Sequence, residues 1–234
     1  MLKSHVIGKW AIGLILLVTA SSSSAYTPIN TYPVWNGTQY ISSFGVPNTA
    51  TYGQIVTAPP LETRLNSFSF SIGVSSATIT FRAEVYAWNG TMATGPALYE
   101  SAPVSMGNIS AYQQFTFTIP GGVPVTPGQQ YVLFATTSRD QAGAPSSAAR
   151  WGSVPNATYA GGQFVFINNT TDTSLWTSTA WSTIAEDLAF TATFTGAPAP
   201  EVQVPTMNQW GLIILIALLG IGSVFYLRRR RAEA

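Results

Sequence analysis

Carboxylates and aromatic rings carry most of the chemistry available to this chain. Between residues 26 and 200 the acids are Glu62, Glu84, Glu100, Asp140, Asp172, Glu186 and Asp187. Glycoside cleavage by carboxyl groups alone needs two of them about 5–9.5 Å apart. Glu84 falls on the polar face of an alternating run. Glu186 and Asp187 are adjacent, so a strand sends them to opposite faces. No motif joins these acids, and they read as solvated charges at strand edges. The aromatics are more suggestive. Trp35, Trp88, Trp151, Trp176 and Trp181 fall in predicted loops or at strand ends. Tyr86 and Trp88 share a face with Arg82 and Glu84. A ring beside polar groups can cover the C–H patch of a sugar while its neighbours bond the hydroxyls. Tyr86, Trp88, Arg82 and Glu84 therefore form the candidate glycan-contact set. The competing expectation is that the rings cap the apolar core, since Trp is highly buried on average.

What is missing narrows the chemistry further. There is no cysteine, and the single histidine is His5. Beyond that residue there is no thiol nucleophile, no histidine base and no Cys- or His-ligated zinc. A fold without disulfides must rest on its core. No cofactor is expected. Asp140, Asp172 and Asp187 could contribute to a structural calcium, which needs about 6–8 oxygen ligands, but no Asp-x-Asp pattern brings them together. Both lysines precede residue 10, and the central region keeps only Arg64, Arg82, Arg139 and Arg150 as bases. So few cations argue against a nucleic-acid partner, because such binding neutralises phosphates with Lys and Arg.

The elements that must position these groups are strands. The region is rich in Thr, Ser, Gly, Ala and aromatics, a composition that favours strands over helices. Phe68, Phe70, Ile72 and Val74 alternate with Ser67, Ser69, Ser71 and Gly73. Ile79, Phe81, Ala83 and Val85 alternate with Thr80, Arg82, Glu84 and Tyr86. Phe115, Phe117 and Ile119 alternate with Thr116 and Thr118, and Leu188, Phe190, Ala192 and Phe194 with Ala189, Thr191 and Thr193. Period two marks antiparallel strands over a shared core. Asn36-Gly37 and Asn89-Gly90 suit tight turns, and Pro127-Gly128 leads into the apolar run Tyr131–Phe134. The expected fold is all-β: an antiparallel β-sandwich, jelly-roll-like, over residues 26–195. A Pro/Ala linker follows at 196–203.

The two ends point to export. Lys3 and Lys9 precede an apolar run from Trp10 to Ala20, and Ser23-Ser24-Ala25 supplies small residues for cleavage. Residues 1–25 read as a signal peptide. Residues 212–227 are apolar and uncharged, long enough to cross a thin bilayer as a transmembrane helix. The basic tail 228–234 contains Arg228, Arg229, Arg230 and Arg231, a topology stop that favours the cytoplasmic side. Ahead of the helix stand Val204, Pro205, Thr206, Met207, Asn208, Gln209, Trp210 and Gly211. This motif, followed by a helix and arginines, resembles the IPTL-CTERM sorting signal of Gram-negative bacteria. Pro205, Thr206, Trp210 and Gly211 match that family's usual Ile-Pro-Thr-Leu-Ser-Glu-Trp-Gly. The substitutions at Val204 and Met207 are conservative, and Asn208 and Gln209 stay polar. The resemblance implies processing by an exosortase-type membrane peptidase, and a location first at the inner membrane and then at the cell surface or beyond. The central region also looks, more distantly, like the jelly-roll domains attached to such tails.

The function these features predict is that of a non-enzymatic surface protein, an adhesive, matrix or glycan-binding module with an extracellular polysaccharide as partner. The alternative is a carbohydrate-active enzyme that uses carboxylates only.

Overall fold

The computed structural model describes residues 26–47, 49–75, 77–141, 149–155, 158–196 and 209–232. Residues 1–25, where a signal peptide is expected, most of the expected linker and Val204 to Asn208 lie outside the described residues. In chain order the strands are β1 (Tyr26–Asn30), β2 (Tyr40–Phe44), β3 (Thr51–Thr57), β4 (Glu62–Ser75), β5 (Ile79–Trp88), β6 (Ala93–Glu100), β7 (Val104–Met106), β8 (Ile109–Pro124), β9 (Gln130–Thr136), β10 (Ala149–Val154), β11 (Phe164–Ile167), β12 (Ser182–Ile184), β13 (Asp187–Leu188) and β14 (Phe190–Gly196). A short helix, α1 (Leu175–Ser178), precedes β12, and α2 (Gln209–Ala232) lies near the C-terminus.

The strands form two antiparallel sheets of seven strands each. The first runs β1-β14-β4-β10-β13, with β8 on the far edge of β4 and β2 on β10. The second runs β12-β11-β3-β9-β5-β6, with β7 on β5. The predicted alternation sets the facing surfaces. Phe68, Phe70, Ile72, Phe117, Trp151 and Phe190 from the first sheet share one apolar cluster with Tyr52, Phe81, Val85, Leu133 and Phe164 from the second. Trp151 is fully buried in β10, 4.8 Å from the Phe70 ring and 5.0 Å from Phe44. It is a core residue and not, as its sequence context suggested, a ring at a strand end.

The turns follow their local chemistry. Asn36 Oδ1 accepts from the backbone N–H groups of Thr38 and Gln39, and Asn89 Oδ1 does the same for Thr91 and Met92. In both, the glycine after the asparagine has positive φ, +79° at Gly37 and +102° at Gly90, which a residue without Cβ adopts at little cost.

A second apolar cluster lies on the other side of the second sheet. Ile55, Tyr86, Trp88, Val132, Phe134 and Val165 meet Trp176 and Trp181 there. Strand β9 is thus buried on both faces. The apolar run in β9 lies in the core as expected, but the face of β5 expected to be polar is covered here because the chain between β11 and β12 folds down over the sheet.

Helix α2 is a unit of its own. Its span Gly211–Ala232 has 22 residues, and an 18-residue stretch within it has a mean hydropathy of 2.1, long and apolar enough to cross a membrane. The helix continues through Arg228–Arg231 instead of ending at Leu227. Arginine is a good helix former, and cations suit a helix C-terminus.

Candidate functional site

Strand β5 places Arg82, Glu84, Tyr86 and Trp88 on one face, as the alternation requires. That face is covered. Trp176 lies 6.2 Å from the Tyr86 ring and Trp181 5.7 Å from the Trp88 ring, each centroid to centroid. Tyr86 and Trp88 are buried, and the Glu84 side chain is fully enclosed. The two covering indoles are themselves satisfied: Trp176 Nε1 donates to Thr51 Oγ1 at 3.2 Å and Trp181 Nε1 to the Trp176 carbonyl at 2.9 Å. The expected glycan-contact set therefore presents no free ring face. Two of the rings expected at the rim serve as its cover. An edge of Trp88 borders a small hollow of about 280 Å³ with Gly90 and Gln130.

What assembles beside the covered rings is a charge network. Glu84 on β5 stands directly opposite Glu100 on β6. Arg82 forks onto Asp140, Nε to Oδ2 at 2.7 Å and Nη2 to Oδ1 at 2.6 Å, and also pairs with Glu100. Arg139 donates from Nε to Glu84 Oε1 at 3.0 Å, reaches Glu100 Oε2 at 3.7 Å, and lies 5.2 Å over the Trp176 ring. Burial pushes the Glu84 carboxyl up from 4.5 to about 7; the Arg139 charge opposes this and Glu100 adds to it. The hydrogen bonds from Arg82 hold Asp140 below its ordinary value. Burial lifts the Tyr86 hydroxyl to about 12. The pairing of Glu84 with Glu100 was hidden in the sequence because it depends on the length of the β5–β6 turn.

The other acids are dispersed. Asp187 is buried, not solvated as expected. It accepts from Gln54 Nε2 and from the Tyr159 backbone N–H, each at 2.9 Å, and burial raises its pKa. Asp172 accepts from the backbone and hydroxyl of Ser174. Asp140, Asp172 and Asp187 thus have separate partners, and among the described residues no group of three or more acidic or imidazole side chains is placed to hold a metal ion.

The open site lies on the first sheet, at residues the contact set did not include. Two adjoining hollows share Arg150. One, of about 500 Å³, is lined by Ser42, Ser43, Val74, Ser75, Asn108 and Ile109 as well. The other, of about 480 Å³, is lined by Trp35, Gly37, Thr38, Ser110, Ala111 and Tyr112. Trp35 meets the Tyr112 ring edge-on at 5.0 Å, and its Nε1 donates to the Gln39 carbonyl at 2.8 Å. The Arg150 guanidinium lies 4.1 Å over the ring of Tyr40, which is 42 % exposed. Val74, expected on the apolar face of its run, lines the first hollow instead, with φ of +51° where the β4–β8 register shifts. That is a strained conformation for a β-branched residue, and such strain clusters at functional sites. The groove thus combines partly exposed rings, hydroxyls, an amide and one guanidinium. The sequence signal that could have found it is Trp35 beside Asn36-Gly37, a ring on a tight turn. Tyr112 and Arg150 come from distant strands.

Comparison with known proteins finds no family model that matches this chain and no matching curated protein. Among solved structures, it is similar to the cysteine protease and lectin-like domains of Cwp84, a surface layer associated protein of Clostridium difficile, at 8 % identity and a TM-score of 0.41. The match covers 64 % of this chain and 32 % of that one, about a third of its length. At that score the likeness carries no functional weight.

Proposed function

We propose that this chain is an exported, membrane-anchored surface protein of a Gram-negative bacterium. In this reading its two sheets are the layers of a jelly-roll-like sandwich, and the domain binds glycans without cleaving them. The observation that carries the binding half is the groove at Trp35, Tyr40, Tyr112 and Arg150, where rings and polar groups meet in the open. The anchoring half rests on α2 and on the resemblance of residues 204–231 to an exosortase-type sorting signal. A glycan array probed with the detergent-solubilised full chain tests the binding. Signal on a subset of glycans, lost in Trp35→Ala and Tyr112→Ala, is the expected result. An array blank throughout would remove the glycan reading.

One observation favours a second reading, a carboxylate-only hydrolase. Glu84 and Glu100 are directly opposite, and a carboxyl with a pKa of about 7 is suited to act as a general acid. The enclosure of Glu84 and its bond to Arg139 favour binding over catalysis. Polysaccharide turnover that disappears in Glu84→Gln would reverse that preference.

A further inference from the structure

We infer that the groove is selective for acidic saccharides, and that Arg150 is the group that reads a sugar carboxylate; this rests on the glycan-binding reading above. The first observation is the state of Arg150. Arg82 and Arg139 are committed to Glu84, Glu100 and Asp140, and Arg64 donates to the Gly121 carbonyl. Among the described residues Arg150 has no ion pair and no side-chain hydrogen bond; its contact is the Tyr40 ring. Among the described residues no carboxylate lines either hollow, and the preceding segment 142–148 contains no acid. The charge is thus uncompensated in its own groove.

The second observation is geometric. The guanidinium carbon lies 4.1 Å over the Tyr40 centroid, so the group is held by a ring and not by an acceptor, and its N–H groups remain for one. Those N–H groups match the two oxygens of a carboxylate in a parallel, bidentate pair. The Tyr40 ring beneath holds the fork in place, so less freedom is lost when the pair forms. Around it, the Ser42, Ser43, Thr38 and Ser110 hydroxyls and the Asn108 amide suit sugar hydroxyls, and Trp35 and Tyr112 suit a pyranose face.

The third observation is the setting. Between residues 26 and 196 four arginines face seven carboxylates. Glu62, Glu84 and Asp187 are buried, and Glu84, Glu100 and Asp140 are paired with Arg82 and Arg139. An anionic chain is therefore attracted at Arg150, whose charge no carboxylate answers.

The test uses the full chain in detergent, with oligogalacturonate as probe and its methyl ester as the neutral match. We expect the acid to bind at least ten-fold more tightly than the ester, with affinity falling as salt rises. Arg150→Gln should lower affinity for the acid by roughly ten- to a hundred-fold and for the ester by much less, so that the preference for the acid is lost. Arg150→Lys keeps the charge without the fork and should recover only a small part of that loss. Equal binding of acid and ester would overturn the inference and leave the glycan reading intact. So would dextran sulfate binding as tightly as oligogalacturonate, since charge alone would then suffice. Binding of neither probe, with an array blank throughout, would remove both.

Discussion

The indole of Trp35 occupies the space that a side chain at residue 152 would need. A Cβ on Gly152 would stand 2.7 Å from Trp35 Cζ2 and 3.1 Å from the Ala189 methyl. The sheet is bare of side chain at that point so that the ring can settle on it. Trp35 in turn holds the Tyr112 side of the groove through its edge-on contact. Gly152→Ala should therefore push the indole outward. The expected cost is about 1–3 kcal/mol of stability, the usual range for overpacking, together with weaker glycan binding. Thermal unfolding and the glycan array measure the two effects; full binding by this variant would show that the ring's seat does not matter.

A buried polar clamp ties β3 to β13. Gln54 on β3 donates to Asp187 Oδ1 and accepts from the Leu188 N–H, each at 2.9 Å, and it is fully buried. Gln54→Leu would strand an acceptor and a donor together, at about 1–3 kcal/mol for each. Asp187→Asn should cost a similar amount: burial already disfavours the charge, but the new amide turns an N–H group on a donor, either the Gln54 amide or the Tyr159 N–H. Denaturant unfolding measures both variants. Full stability of Asp187→Asn would show that the two accepted bonds do not matter.

The pH dependence of Glu84 has a definite sign. Its carboxyl titrates at about 7 in the fold and near 4.5 when exposed. Below 4.5 both states are protonated and nothing is lost. Between 4.5 and 7 the unfolded chain gives up the proton first, so stability falls as pH rises; above 7 it levels off. The full change is on the order of 3 kcal/mol. In Glu84→Gln this contribution is absent, so the variant should gain on the wild type across that window. Parallel stability–pH curves for the two proteins would show that Glu84 does not titrate there.

Leu61 stands at a turn position that suits another residue. It has φ of +71°, it is 85 % exposed, Pro60 precedes it, and the Glu62 N–H donates to the Pro59 carbonyl at 3.2 Å. Proline followed by positive φ is the pattern of a type II turn, where glycine is favoured. Leu61→Gly should stabilise the fold by about 0.5–1 kcal/mol, since relief of the left-handed strain, about 1–2 kcal/mol, exceeds the entropy lost on fixing glycine. A lower midpoint in thermal unfolding would contradict this.

The strands were legible because alternation is local. Phe70, Phe81, Phe117 and Phe190 are buried as their runs demand, and both Asn-Gly pairs form their turns through the asparagine side chain. The covered rings were not legible. Whether Tyr86 and Trp88 face solvent depends on where Trp176 and Trp181 land, and those indoles arrive from a segment about ninety residues away with no period of its own. The buried Asp187 was missed for the same reason: its partner Gln54 lies 133 residues earlier. Local pattern specifies which way a side chain points along its strand. It does not specify what later segments lay over that face.

The C-terminal segment makes the last prediction. Helix α2 begins at Gln209, so a peptidase acting by the sorting-signal reading would meet the Pro-Thr sequence that precedes the helix in the chain, where proline disfavours helix in the residue before it. Pro205→Ala would let helix extend backward into that stretch, and Trp210→Ala would remove an aromatic residue suited to the membrane interface. Neither touches the apolar run 212–227, so both variants should still insert. An uncut precursor should accumulate in the membrane fraction, larger than the processed form by the helix and its arginines. Replacing Arg228 to Arg231 with neutral residues should act on a different step, because it removes the topology bias and some chains would pass through the membrane. Immunoblots of fractionated cells with a domain-directed antibody separate these outcomes. Wild-type protein that keeps its C-terminal helix in a host that processes such tails would reduce residues 204–231 to a plain anchor, and the groove at Arg150 would then work from the membrane surface.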